Sequence, residues 1–580
     1  MRDHFGAFRY KNDDYYLPQL DLLIEDLHDE NVLVSENRKA LLVIDPVIYV
    51  RPADLPIPSP LAERGLQSAS STAHRSPLTA HLSSLNIASQ RGLGEMFDGS
   101  VGAGTVLWPF GGKHQITPPD AMVAKLPLLE GDTDVCTHMA WGFDPDLSEQ
   151  SPFHGAVYAV TESVCKIVAS GARLSDIRLT LQEYFPKLGT DPKRWGQPFA
   201  ALLGAFHAQH SLRLAAIGGK DSMSGSFNDL DVPPTLVSFA LAPGKASLAL
   251  SPEFKKRGST VSLVTVPRDA DNLPDFEFLK QTAEALHQLN QDGKLLSLHH
   301  IGKPGLAAAL AKSCFGNRIG FQEGSAGVPS ASLHSESYFT FLLEHEPVAA
   351  DCIRQALPGI QEIGQTTADP TLVLNGETHD LTTLQSAWES TLEPVYPTKP
   401  EEVEDRGSKI VDADSGLFQI RNRHASIAAP KVLIPAFPGT NSEYDSAKAF
   451  REAGADPEIL VFRNLTAKHI EESLTAMAEK IRQSQILMFP GGFSAGDEPD
   501  GSAKFIATII RNPRVADAIM DLLKNRDGLI LGICNGFQAL IKTGLVPYGE
   551  LRESTADSPT LVHNTIGRHI SRYAHTRVTS

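Results

Sequence analysis

Cysteine is sparse in this chain: Cys136, Cys165, Cys314, Cys352 and Cys534 are the five among 580 residues. Their number is odd and no pair has CxxC spacing, which argues against a disulfide framework and a structural zinc site. Positive charge is also in deficit, with 52 Lys and Arg against 69 Asp and Glu and a formal net charge of −17. A general nucleic-acid binder usually carries the opposite balance. Phosphorylated small molecules stay open, because local backbone N–H groups and metal ions hold them. No apolar run reaches the roughly 18–20 residues of a membrane span. The N-terminal MRDHFGAFRYKNDD has no apolar signal core. These absences point to a cytoplasmic protein with neither membrane nor nucleic acid as partner. No repeat of solenoid period occurs.

What is present is ordinary globular material, 42% hydrophobic and 21% charged, so the length allows roughly three to five domains. Residues 1–85 are the least readable. Leu41–Val50 suits a buried strand interrupted by Pro46, and Arg51–Ser84, rich in Pro, Ser, Ala and His, reads as linker. Between 86 and 244, helical and strand patterns alternate. Pro152–Ala169 carries an apolar helical stripe of Val157, Val160, Val164, Ile167 and Val168, and Leu236–Ala242 reads as a buried strand. A second α/β block covers 245–395, with strands expected at Thr260–Val266 and Ser337–Leu343 and helices at Phe276–Leu289 and Leu306–Phe315. Residues 396–429 read as a linker. From 430 to 580 strand and helix alternate with short connections, the pattern of a doubly wound parallel sheet.

Within that last block, the strand Leu529–Ile533 runs into Gly532-Ile-Cys534-Asn-Gly536 and then a helix. Small residues around a nucleophile let the backbone turn sharply and present the side chain at the carboxyl end of the sheet. The following helix N-terminus favours a thiolate, and the Asn535 amide is placed to stabilise an oxyanion. A second Gly-rich turn, Pro490-Gly-Gly-Phe-Ser494, ends the preceding strand, and the other oxyanion donor is expected at Gly492 or Phe493. The competing reading is a buried structural cysteine among turn-forming glycines.

Residues 431–550 resemble the class I (triad) glutamine amidotransferase family, and more narrowly the glutaminase of the phosphoribosylformylglycinamidine synthase family. The segments that carry the resemblance are FPGTNSEYDSAKAFREAGA (437–455), FPGGFSAGDEPDGSAKF (489–505) and GICNGFQALIKTGLVPYG (532–549). The resemblance implies Cys534 as nucleophile and Gln538 as a holder of the glutamine substrate, with Asn441 and Glu443 near its pocket. It also implies an H-x-E pair downstream, which this sequence does not show. His563, His569 and His575 are not followed two residues later by an acid. The expectation is an incomplete glutaminase, inactive alone and completed by other portions of a larger or split enzyme.

Residues 86–395 resemble the second synthetase module of the same family, through ASQRGLGEMFDGSVGAGTV (88–106), KLPLLEGDTDVCTHMAWGFDP (125–145) and IGGKDSMSGSF (217–227). The implied fold is a synthetase-type α/β sandwich module ahead of the glutaminase domain. The implied reaction is the ATP-dependent amidation of formylglycinamide ribonucleotide with ammonia drawn from glutamine. Gly218–Gly225 reads as a small-residue loop whose N–H groups cradle phosphate, with Lys220, Asp221 and Ser222 contacting nucleotide. It is not a Walker A loop. The resemblance makes Asp120, Glu162 and Asp221 ligands of Mg2+, with ATP as substrate or ADP as a structural group. Where the family often has Asn, four residues after Glu162, this chain has Lys166, placed to pair with Glu162 or a phosphate. His154 is a weaker ligand candidate, and His299 and His300 suit a helix start. Two other functions compete: a non-catalytic nucleotide-binding scaffold, and a stand-alone cysteine hydrolase, which residues 86–395 disfavour.

Overall fold

The computed structural model describes the backbone of short strands between residues 8 and 50. From residue 76 it describes everything except 101–103, 326, 329–332, 400–428, 495–502, 563 and 575–580. Contacts divide the chain into Met1–His74 and Arg75–Ser580. In the first unit, Phe8–Lys11, Asp14–Leu17, Leu22–Glu25 and Val47–Val50 form one antiparallel sheet. Val32–Val34 and Leu41–Val43 pair as a separate hairpin. Pro46, most of the expected linker 51–84, and residues 400–428 of the second linker lie outside the described residues.

The first linker ends earlier than its composition suggests. Ser76 caps a helix at Pro77–Leu82, which buries Leu78 and Leu82. A six-residue helix has no periodicity to read, and only its tertiary contacts reveal it.

The synthetase-like region opens with six strands: β1 (Thr105–Leu107), β2 (Met122–Lys125), β3 (Val135–Gly142), β4 (Arg178–Tyr184), β5 (Ala215–Ser222) and β6 (Thr235–Lys245). Their spatial order is β5-β4-β6-β3-β2-β1. Helix α1 (Pro152–Ala169) lies on one face. Ser151 caps it and Pro152 starts it, as the fixed φ of Pro favours. α1 approaches β3 so closely that a Cβ on Gly142 would sit 2.1 Å from the Ala159 carbonyl oxygen. Helix α2 (Pro192–Leu212) packs beside it, burying Ala201, Gly204, Ala205 and Ala208. The opposite face is open. Strict alternation in β3 exposes Val135, Met139 and Trp141, which are joined by Met122 and Leu241. Register places Met139 between Met122 and Leu241.

A second sheet contains β7 (Thr260–Thr265), β8 (Ser297–Gly302), β9 (Gly320–Glu323), β10 (Ser337–His345), β11 (Gln361–Thr367), β12 (Thr371–Leu374) and β13 (Glu377–Asp380). The order is β8-β10-β7-β11-β9-β12-β13. Helices α3 (Phe276–Gln291), α4 (Gly305–Phe315) and α5 (Leu381–Ser390) accompany it. The two expected synthetase domains share one core. Val157, Val160 and Val164 of α1 belong to the same buried cluster as Leu279 and Leu286 of α3 and Phe339 and Phe341 of β10.

The C-terminal region has four parallel strands, β14 (Lys431–Ala436), β15 (Asp456–Val461), β16 (Ile486–Phe489) and β17 (Leu529–Gly532), in the order β15-β14-β16-β17. Alternate residues feed two cores. Leu433, Leu487 and Phe489 join one, and Val432, Ile434 and Met488 the other. Helix α6 (Glu443–Glu452) contributes Ala447 to the second core. Helices α7 (Ala467–Gln483), α8 (Lys504–Ile510), α9 (Pro513–Lys524) and α10 (Asn535–Lys542) contribute to the first. Helices on both faces of a parallel sheet make the doubly wound arrangement expected from the alternation.

The chain then returns to the synthetase-like region. Glu95, 4% exposed, is met by Arg91 Nε at 2.7 Å, Arg572 Nη2 at 2.6 Å and Arg568 Nη2 at 3.4 Å. Arg568 and Arg572 also donate to the carbonyls of Pro397 and Thr398. Burial alone would raise the Glu95 carboxyl, but the hydrogen bonds and charges of Arg572 and Arg91 outweigh it and hold it below its ordinary value. A depressed carboxyl stabilises the fold above its unfolded value of 4.5 and loses that contribution as pH falls through the folded value. Glu95→Gln is expected to cost about 3 kcal/mol at pH 7, the scale of breaking a buried ion pair. Urea denaturation at pH 7 and below pH 4 checks this, the gap between wild type and variant shrinking in acid.

Candidate functional site

In a parallel sheet, turns after neighbouring strands meet at the carboxyl edge, and the crevice opens where strand order reverses. Here β14 and β16 flank that point, and β17 lies next to β16. Their following turns are Phe437–Ser442, Pro490–Ser494 and Ile533–Cys534. Cys534 has φ 52° and ψ −112°, a backbone conformation outside the usual wells for an L-residue with a side chain. It is exposed, so the reading of a buried structural cysteine fails. α10 begins at the next residue.

The bend depends on glycines. A Cβ on Gly536 would lie 2.1 Å from the Phe489 carbonyl oxygen, and one on Gly491 would lie 3.3 Å from Cys534 Cβ and 3.8 Å from its Sγ. Gly492 has φ 133°. The turn is tied to the β14 loop by Asn441 N–H donating to Gly491 O at 3.1 Å and Phe493 N–H donating to Gly439 O at 2.8 Å. The Phe493 amide is therefore already committed, which corrects its place as an expected oxyanion donor and leaves Gly492 as the other residue expected there. The Asn535 side chain adds a feature that the sequence reading missed. Its Oδ1 accepts from Ser494 N–H at 3.3 Å, and its Nδ2 donates to Gln538 Oε1 at 3.2 Å. One buried amide thus clips the Gly-rich turn to the residue expected to hold substrate.

Among the described residues, no side chain hydrogen-bonds the Cys534 thiol. His569 stands instead 3.9 Å from Asp98 Oδ1 in the synthetase-like region. His563, His575 and residues 495–502 of the second glutaminase segment lie outside the described residues. Lys448 of α6 donates to Leu128 O at 3.1 Å. A cavity of about 530 Å³ between Lys125–Thr133 and α6 marks this junction of the two modules.

In the synthetase-like region the expected phosphate loop is not a loop. Lys220, Asp221 and Ser222 end edge strand β5, paired in parallel with Gln182, Glu183 and Tyr184. Lys220 Nζ lies 5.7 Å from the Tyr184 ring centroid. Small residues suggested a turn, but Gly219 is needed because a Cβ there would strike Leu181 O at 2.2 Å. His154 is tethered at its helix start, with Nδ1 2.8 Å from Ser151 Oγ and Nε2 2.9 Å from Asp271 O.

Asp120, Glu162 and Asp221 are not gathered into one set of metal ligands; among the described residues no three His, Cys, Asp or Glu converge as such a set. Glu162 is occupied by Lys166 at 2.7 Å. Asp120 receives His299 Nδ1 at 3.0 Å and the His300 N–H at 2.9 Å. Burial alone would raise Asp120, but these two histidines outweigh it and lower it. Asp120 and Glu162 are already paired with protein donors and Asp221 lies on edge strand β5, outside their cluster, so the residues present do not form a set that fits a divalent ion. His299 and His300 are thus strand residues that fix Asp120, on the strand that leads into α4 at Gly305.

Comparisons with known proteins match separate parts of the chain. Residues 429–580 match the model of the CobB/CobQ-like glutamine amidotransferase domain. Residues 3–52 match that of the Serine/Threonine/Tyrosine Kinase found in polyvalent proteins. A phosphoribosylformylglycinamidine synthase subunit PurQ from Dehalococcoides mccartyi is 36% identical over 148 residues, 26% of this chain and 52% of that protein. Its namesake from Methanococcus maripaludis is 39% identical over 151 residues, covering 25% and 49%. The Arabidopsis thaliana protein called probable phosphoribosylformylglycinamidine synthase, chloroplastic/mitochondrial, is 25% identical over 513 residues, 80% of this chain and 35% of that one. Thermotoga maritima PurL complexed with AMPPCP aligns with 58% of this chain and 55% of its own, at 14% identity and a TM-score of 0.41.

The C-terminal region is thus similar to glutamine amidotransferase domains of the CobB/CobQ-like type. Taken with the synthetase-like region before it, the chain is related to phosphoribosylformylglycinamidine synthase. It spans about half the length of the PurQ relatives it matches and about a third of the Arabidopsis protein.

Native alkylation separates the cysteines. Cys136, Cys165 and Cys314 are buried. Burial pushes the Cys136 thiol up to about 11 and raises the other two as well. His138, 3.4 Å from Cys136 Sγ, is held down to about 4 by burial, so it is neutral at pH 8 and does not activate that thiol. Iodoacetamide at pH 8 is expected to label Cys534 and Cys352 roughly a hundredfold faster than the buried three. Peptide mass spectrometry reads the difference.

Proposed function

We propose that this chain is the second-synthetase and glutaminase portion of a phosphoribosylformylglycinamidine synthase-like ligase in purine biosynthesis. Cys534 attacks the carboxamide carbon of glutamine. The Asn535 and Gly492 amides hold the resulting oxyanion, and Gln538, clipped by Asn535, positions the substrate. The thiol proton leaves through a base to the departing ammonia, and water then cleaves the thioester to glutamate. The observation that carries this reading is the exposed Cys534 at φ 52° between β17 and α10.

The ammonia is consumed by the synthetase-like module, where ATP activates the formyl amide oxygen of formylglycinamide ribonucleotide and ammonia displaces phosphate. Lys220, Asp221 and Ser222 serve the nucleotide in this reading. Joining the source of ammonia to its acceptor preserves an uncharged nucleophile that water would protonate. Two features support companion portions as partners. The described residues give Cys534 no base, and the open sheet face bearing Met122, Met139, Trp141 and Leu241 suits a packed neighbour.

Glutamine hydrolysis and ATP-dependent amidine formation are to be measured for the chain alone and mixed with the remaining portions of a related synthase. The chain alone is expected to hydrolyse glutamine negligibly, because a cysteine without its oriented base loses on the order of a thousandfold or more. The mixture is expected to form amidine. Cys534→Ala abolishes the glutamine-dependent reaction and spares the ammonia-dependent one. Substantial glutamine turnover by the chain alone contradicts the incomplete-triad reading, and no amidine from the mixture contradicts the ligase assignment.

A further inference from the structure

The charged groups around Glu162 form a cluster from separate elements. Lys166 on α1 reaches Glu162 at 2.7 Å and donates to the Trp141 carbonyl at 2.9 Å, with its Nζ 4.6 Å from the Trp141 ring centroid. An ammonium has three N–H donors, and these oxygens take two of them. Asp120 precedes β2 and is fixed by His299 and His300 of β8. Lys312 of α4 feels the charges of both Asp120 and Lys166, and among the described residues its ammonium has no hydrogen-bond partner. Burial and the repulsion of Lys166 bring Lys312 down to about 8, against the pull of Asp120. Both ring nitrogens of His300, 3% exposed, lack partners among the described residues. Burial depresses that imidazole to about 3, so it is neutral and offers one donor and one acceptor.

This arrangement has cationic donors to spare, and its carboxylates Glu162 and Asp120 are each already paired. A divalent ion would have to displace Lys166 from Glu162 and His299 from Asp120. An anionic ligand would instead satisfy the remaining Lys166 N–H and the Lys312 ammonium, and relieve their mutual repulsion. We propose that Lys166 acts as a tethered cation in place of a divalent ion, so that the synthetase-like module binds a nucleoside polyphosphate without metal. The inference rests on reading this module as nucleotide-binding.

Calorimetric titration of the full chain with ATP, in excess EDTA and again in excess Mg2+, tests it. The two Kd values are expected to agree within about threefold, and Lys166→Gln is expected to raise the Kd in EDTA about tenfold or more, the loss of one charge-assisted contact. Electron paramagnetic resonance of Mn2+ is expected to show the ion free in the presence of wild-type protein. ATP binding that requires Mg2+, no ATP binding at all, or Mn2+ retained by wild type and released by Glu162→Gln each overturns the proposal. The readout is binding, so it is separate from the activity test. Metal-free ATP binding with no amidine formed on completion would remove the ligase reading and leave this one standing.

Discussion

The C-terminal region depends on one steric constraint, the close approach of backbone to backbone under Cys534. Gly536 lies against the Phe489 carbonyl, Gly532 against Gly536, and Gly491 against the cysteine itself. No side chain fits at Gly532 or Gly536 and one at Gly491 would be tight, and this closeness accompanies Cys534 at φ 52° and ψ −112° while the residue stays exposed. Strain of this kind costs about 1–3 kcal/mol and persists only where the surroundings overdetermine it. Here the surroundings are two packed cores and a parallel sheet. The Asn535 amide then carries the constraint outward to Ser494 and Gln538.

The synthetase-like region is organised by charge more than by strain. Several of its buried carboxylates are answered by the protein's own donors: Glu95 by three arginines, Asp120 by His299, and Asp144 by Lys303 at 2.7 Å and the Tyr338 hydroxyl. Such pairs offset the cost of burial, and breaking one leaves an uncompensated charge. Pairing of this kind also makes a carboxylate a poor metal ligand. That is why a resemblance that implies Mg2+ leads here to a site without a fitting set of ligands.

Local signals in the sequence were readable where local physics is decisive. Ser151 and Pro152 mark the start of α1, and Pro152–Ala169 matches its bounds. The alternation after residue 430 gives the parallel sheet, and Gly532–Gly536 gives the nucleophile turn. Long-range pairings were not readable. Asp120 meets His299 across 179 positions and Glu95 meets Arg572 across 477, and no periodicity links them. Glycine misled at 219, where close strand packing calls for it and a loop was inferred. The Phe493 amide looked available until the β14 loop was seen to accept from it.

The most direct test of the central claim is covalent capture by a glutamine-shaped electrophile, a chloroketone analogue of glutamine, on the chain assembled with its companion portions. If Cys534 is a thiol presented to a carboxamide, mass spectrometry will find the adduct on Cys534 and excess glutamine will suppress it. An adduct confined to Cys352, or labelling of Cys534 that glutamine does not slow, would contradict it.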